Sequence, residues 1–209
     1  MSRRILEYSL ILLLAGMAAG CGAARPISFY VLDTGPAPVN AGTPAYPVRL
    51  LVARIASSEL YRDDRLVYAS GPVRLGTYEY QRWAAAPVDM VRDMLINSLR
   101  TSGQYRSITP LTSNLRGDYI IRGHLYALDE VDKPELAARF SLEIDLYDLK
   151  SGAMLWTDSY AHDEPVNGKA VSDVVEALDR NVRAGMQQLT TNLGAYFASH
   201  PPPGASTAP

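Results

Sequence analysis

In the segment from Ala138 to Leu149 the chain alternates cleanly through Tyr147. Phe140, Leu142, Ile144 and Leu146 point one way; Arg139, Ser141, Glu143, Asp145 and Tyr147 point the other. A period of two is strand geometry, and an apolar set backed by a charged set describes an antiparallel strand with one dry face and one wet face. The pattern predicts helices over the dry face only.

The flanking segments supply the rest. Ile27 to Leu32 and Val48 to Ile55 read as strands, separated by a Pro/Gly-rich loop over 33–47. Two short extended pieces follow, Arg65 to Ala69 and Val73 to Tyr80, around the Ser70-Gly71-Pro72 turn. Pro87 opens a helix, because its fixed φ suits the first helical position and its missing N–H is not needed there. Val88, Val91, Leu95 and Leu99 form that helix's apolar stripe, and Gly103 is its terminator. Beyond Thr109-Pro110 lie a strand from Asp118 to Val131, the alternating strand, a Lys150-Ser151-Gly152 turn and a strand from Ala153 to Ala161. A last helix spans Lys169 to Ala198. Its seam, Val171, Val175, Leu178, Val182, Met186, Leu189, Leu193 and Tyr196, steps by three or four and is read as packing on the sheet. The predicted order is β-β-β-β-α-β-β-β-α. The fold class is α+β, a mostly antiparallel sheet with two main helices on one face. Residues 27–198 make this domain, and 199–209, with little to bury, are expected to be a disordered tail.

The first 26 residues carry a different message. Arg3 and Arg4 precede an apolar run from Leu10 to Ala19 that is shorter than the about 20 residues needed to span a bilayer. Small residues then lead to Gly20-Cys21, and Cys21 is the one cysteine of the chain. This is the layout of an export signal, and a cysteine directly after the small residues resembles the lipobox of bacterial lipoproteins. An ordinary secretory leader with a chance cysteine is the alternative. The lipobox reading makes 1–20 a signal peptide cleaved between Gly20 and Cys21, with 21–26 a lipidated lead. Each acyl methylene buried in a membrane contributes about 0.8 kcal/mol, so several chains on one residue form a stable anchor. Gly22, where an inner-membrane retention signal carries aspartate, resembles outer-membrane sorting with the body in the periplasm. With one cysteine, no internal disulfide forms.

Composition limits the chemistry. Net charge is −2, with no basic stripe, which gives no reason to expect nucleic-acid binding. Thirteen tyrosines against three phenylalanines suit either half-wet interfaces or plain strand propensity. The sequence has no nucleophile elbow, phosphate loop, dinucleotide glycine pattern or His-Glu-x-x-His. His124, His200 and the His162-Asp163-Glu164 cluster, read as a solvated strand end, lack the convergent donors of a metal site. Asp63-Asp64, between Arg62 and Arg65, reads as a charged turn rather than an acid–base pair. No catalytic residue, cofactor or metal is assigned.

One stretch is more specific. Ser58-Glu59-Leu60-Tyr61-Arg62-Asp63-Asp64-Arg65-Leu66-Val67-Tyr68 is followed by Tyr78-Glu79-Tyr80-Gln81-Arg82-Trp83-Ala84-Ala85-Ala86-Pro87. With the lipobox and Tyr30-Val31-Leu32, these resemble the ABC-type transport auxiliary lipoprotein family, also called PqiC-like. The family's usual Trp-Ala-Glu-Pro is replaced here by Trp83-Ala84-Ala85-Ala86-Pro87, with one more alanine and no glutamate. The resemblance covers Ile27 to Ala198. It implies a non-enzymatic, outer-membrane-tethered component of an MCE-type ABC lipid transport system, with a periplasmic MCE-domain protein as partner, the membrane held through Cys21, and a homo-oligomeric ring as its assembly. Trp83 and Pro87 are read as structural, the Trp83 ring sealing the strand–helix corner with its N–H satisfied at the rim. The wet face around Arg139, Glu143, Asp145 and Tyr147 is the candidate interface. A scaffold or activator of cell-wall synthesis, a secretion-pore component and a direct lipid carrier are the competing readings.

Overall fold

The computed structural model describes residues 25–35, 43–112, 116–132 and 134–203. The signal segment, Gly20 and Cys21 lie outside them, as do 36–42 of the predicted loop and 204–209 of the predicted tail. Among the described residues the strands are β1 (Ser28–Tyr30), β2 (Tyr46–Ser57), β3 (Arg65–Ala69), β4 (Leu75–Trp83), β5 (Tyr105–Pro110), β6 (Tyr119–Val131), β7 (Ala137–Asp148) and β8 (Met154–Pro165). The helices are α1 (Pro87–Thr101) and α2 (Val171–Ser199), with a 3-10 turn at Glu59–Tyr61.

All the strands join one mixed sheet, and β6 organises it. One edge of β6 pairs along its whole length with antiparallel β7, which in turn carries antiparallel β8. The other edge is shared: its first half takes parallel β2 and its end takes parallel β3. Parallel β5 flanks β2, while antiparallel β4 and then parallel β1 extend from β3.

The alternation in β7 is realised as expected. Phe140, Leu142 and Leu146 are fully buried and Ile144 nearly so, while Arg139, Ser141, Glu143, Asp145 and Tyr147 are half-exposed. Both helices cover the dry face and touch each other there, with Ser98 Oγ 3.0 Å from Thr190 Oγ1. The seam of α2 is buried from Val175 to Leu193 and continues into Phe197. It packs mainly on β7 and β8, with a smaller contact to α1. Asn181 lies within this apolar seam and is fully buried. Its Nδ2 donates to Ala138 O and to His162 O, both at 2.8 Å, and its Oδ1 accepts from Tyr160 Oη at 2.9 Å. One side chain thereby ties the helix to two strands.

Several boundaries differ from the sequence reading. β5 was not expected, since Tyr-Arg-Ser-Ile-Thr-Pro has only Tyr105 and Ile108 as apolar residues and ends in proline. It is an edge strand held by β2 alone, where a terminal proline is tolerated. β4 starts at Leu75 rather than Val73, because Ser70 N donates to Arg74 O and closes a turn that includes Val73. β8 continues to Pro165, its polar end pairing with the start of β7, so His162 lies within the strand and not past it. Gly103 and Gly152 end α1 and the β7–β8 hairpin at φ 65° and 73°, the left-handed region that glycine enters freely. In the tail, Pro202 is buried, where the sequence suggests little to bury.

Trp83 is the last residue of β4, and Pro87 occupies the first position of α1. The Trp83 N–H departs from expectation. The ring is 1% exposed, within the core rather than at a rim, and Nε1 has no hydrogen-bond partner among the described residues.

Replacing Asn181 by Leu keeps side-chain volume but strands two carbonyls and a tyrosine hydroxyl. Each unmet buried group costs about 1–3 kcal/mol. Urea unfolding should show a loss of about 3 kcal/mol at unchanged m-value; a loss below about 1 kcal/mol would mean the bridge does not hold the helix.

Candidate interface on the open sheet face

No α-helix among the described residues covers the second face of β6, β7 and β8; the 3-10 turn reaches only its Asp129 end. Strand register sets which side chains meet there. Asp145 lies between Arg122 and Thr157, Glu143 between His124 and Ser159, and Arg139 between Asp129 and Asp163. The Arg122 guanidinium sits 4.7 Å from the Tyr147 ring centroid, a cation–π contact that also shields the ring. His124 and Tyr126 hold their rings 4.3 Å apart, and Tyr126 Oη donates to Glu143 Oε1 at 3.4 Å. Tyr126 is 54% exposed. The result is a plane of mixed charge with aromatic groups lying on it; its tyrosines and Arg122 are residue types in which protein–protein interfaces are enriched, and its carboxylates are of the kind found at their polar rims.

The four residues singled out from sequence do not share one role. Glu143, Asp145 and Tyr147 present polar atoms outward from the sheet. Arg139 is committed instead: its Nε and Nη2 donate to the two oxygens of Asp129 at 3.0 and 2.7 Å. Asp129 is fully buried, lying beside Tyr61 of the 3-10 turn, which is itself 3% exposed. Burial raises the Asp129 carboxyl above its ordinary range against the pull of Arg139, and burial, then Asp129, pushes the Tyr61 hydroxyl up to about 12. Periodicity put Arg139 on the wet face correctly. It gave no sign that the turn after β2 would fold over Asp129.

The remaining sequence candidates are scattered. Asp64 accepts from Arg82 at 2.8 Å and Asp63 from the backbone N–H of Arg65 at 3.1 Å, so the acidic pair shapes the turn before β3. His162 Nε2 lies 3.6 Å from Glu164 on β8, and His200 stacks on Tyr196. No group of three or more His, Cys, Asp or Glu among the described residues is placed to hold a metal. Sequence reasoning missed an apolar margin at the sheet edge, where Ile27, Phe29 and Val31 are 47%, 63% and 63% exposed. Their spacing of two was the available signal.

Changing Arg139 to Met leaves the Asp129 carboxylate buried without its counter-ion. The expected cost at pH 7 is about 3 kcal/mol, and adding Asp129→Leu should recover most of it. In the single variant the folded carboxyl pKa lies above the unfolded one, so the folded state binds the extra proton. Stability is then lost as pH rises through that raised value, and the deficit against the parent shrinks on acidification. A deficit that is the same at pH 4 and pH 7 in thermal unfolding would contradict the buried pair.

No curated protein matches this chain. Among solved structures, protein XCC0632 from Xanthomonas campestris superposes with a TM-score of 0.73 at 17% identity, over 83% of this chain and 98% of its own. An uncharacterized protein gives a TM-score of 0.60 at 16% identity, over 82% and 98%. The hypothetical protein CT253 from Chlamydia trachomatis gives 0.50 at 7% identity, over 73% and 99%. At such identities these likenesses speak to the fold. The family model for the ABC-type transport auxiliary lipoprotein component matches residues 30–190, from β1 to within the last third of α2. The chain belongs to the ABC-type transport auxiliary lipoprotein family.

Proposed function

We propose that the protein is a lipid-anchored periplasmic component of an MCE-type ABC lipid transport system, acting by holding a partner and not by catalysis. The observation that carries this reading is the family match, which spans nearly the whole α+β domain. Among the described residues no helix is long and apolar enough to cross a membrane. Attachment then falls to the acylated Cys21, with Gly22 directing the protein to the outer membrane. Five residues separate Cys21 from Ile27, so the lead, six Cα steps long, spans at most about 20 Å and keeps the domain close to the bilayer surface.

The open face is the surface offered to a periplasmic MCE-domain protein or to neighbouring copies in a ring. Glu143, Asp145 and Tyr147 make that contact, with Arg139 holding the strand beneath it through Asp129. ATP hydrolysis and membrane passage belong to other subunits. The protein supplies a fixed position and a docking plane.

Two outcomes test this. Cys21→Ser should leave the domain folded but move it from the outer-membrane fraction to the soluble periplasm; retention in the membrane with intact barrier function would defeat the tether. Glu143→Arg combined with Tyr147→Ala should weaken pull-down of the MCE-domain protein or reduce oligomer size, with the unfolding temperature unchanged. If neither moves, the open face is not the docking surface.

A further inference from the structure

The strand ends at one end of the sheet enclose a cleft of 640 Å³ whose charge is unbalanced. Arg49, Arg106, Arg116 and Lys150 line it against two carboxylates, Asp118 and Asp148. Three separate parts of the fold meet here. β2 and β5 run side by side with Arg49 opposite Ser107, which brings Arg106 to the same end. Asp118 precedes β6, and its carbonyl accepts from Leu149 N at 3.1 Å, drawing in the β7–β8 hairpin and Lys150.

Both carboxylates are already engaged. Asp118 accepts from the Arg49 backbone N–H at 2.8 Å and from its Nε and Nη2 at 3.3 and 3.1 Å. Asp148 accepts from Ser151 N and Oγ at 2.6 and 2.8 Å. Those bonds hold both groups below the usual carboxylate range, so they stay ionised and occupied near neutral pH. Arg106, Arg116 and Lys150 are exposed and make no ion pair among the described residues. Arg49 is pinned by Asp118, giving the cleft one rigid cation and three others, of which Arg106 acts on Asp118 and Lys150 on Asp148 only at longer range. Pro47, Val48, Tyr119, Leu149 and Pro202 add apolar surface to the same lining.

We propose that this cleft binds a phosphate-bearing anion. Guanidinium groups match phosphate oxygens in geometry and charge, and a lysine adds a mobile point charge. The volume is in the range of small-ligand sites and too small for two acyl chains as well as a head group. Two sources supply this chemistry: a phospholipid head group or free phosphate. The cleft stands on its own residues and does not depend on the Cys21 tether or on the open face.

The test uses the full chain in dodecyl maltoside micelles. Native mass spectrometry reads retention of phosphatidylglycerol, with diacylglycerol as the phosphate-free control, and ³¹P NMR follows titration with inorganic phosphate. Phosphatidylglycerol retained over diacylglycerol, and bound about tenfold more weakly by Arg106→Glu/Lys150→Glu but not by Arg74→Glu, assigns the head group. A phosphate response of equal affinity, lost in the same double variant, assigns the free anion. Arg106→Gln, which reverses no charge, should give an intermediate loss. Equal retention of both lipids with no phosphate response overturns the proposal, as does an equal loss in Arg74→Glu.

Discussion

Asn181 and Gly185 lie one turn apart on α2, and together they fix how the long helix meets the sheet. A Cβ at Gly185 would fall 2.7 Å from Tyr160 Cδ1 and 2.8 Å from Phe140 Cε1, so only a residue without a side chain allows this approach. Asn181 then meets polar groups of β7 and β8 at the depth where an apolar residue would leave them unpaired. Shape sets the distance and hydrogen bonding sets the position along the strands. The apolar seam from Val175 to Leu193 supplies most of the attraction, but it is non-directional and would tolerate a slide of one turn. The asparagine does not.

Because α2 and α1 both lie on one side, the other side of a long antiparallel ladder stays open. A sheet in water can leave a face uncovered only if that face is polar, and here Arg122, His124, Glu143, Asp145 and Tyr147 make it so. The proposed docking plane rests on that same composition. Polar residues thus divide by depth. Asp129 with Arg139 and Tyr61 is buried and structural; Glu143, Asp145 and Tyr147 are presented; the cations at the sheet end surround a cleft.

Much of this was legible before any coordinates. The β7 alternation, the α1 and α2 stripes, Pro87 at a helix start and glycines at Gly103 and Gly152 all rest on local rules, where a residue's neighbours within a few positions decide its conformation. What escaped was decided at a distance. β5 exists because β2 offers it an edge, not because its own sequence has strand character. β8 runs on through His162 to Pro165 because β7 continues beneath it. The burial of Trp83 was not readable, since its depth depends on elements distant in the chain.

By itself, then, the sequence determined both helices and all the strands except β5, which faces are wet and dry, and that a single cysteine stands where a lipid anchor would. Those properties follow from periodicity and from residue chemistry, both local. Only the tertiary structure decided that β6 would share one edge between β2 and β3, that Arg139 would be held by a buried Asp129, and that four cations from β2, β5, the start of β6 and a hairpin would line one cleft. Pairing order and register bring together residues tens of positions apart, and no pattern along the chain encodes which free edge a strand will meet.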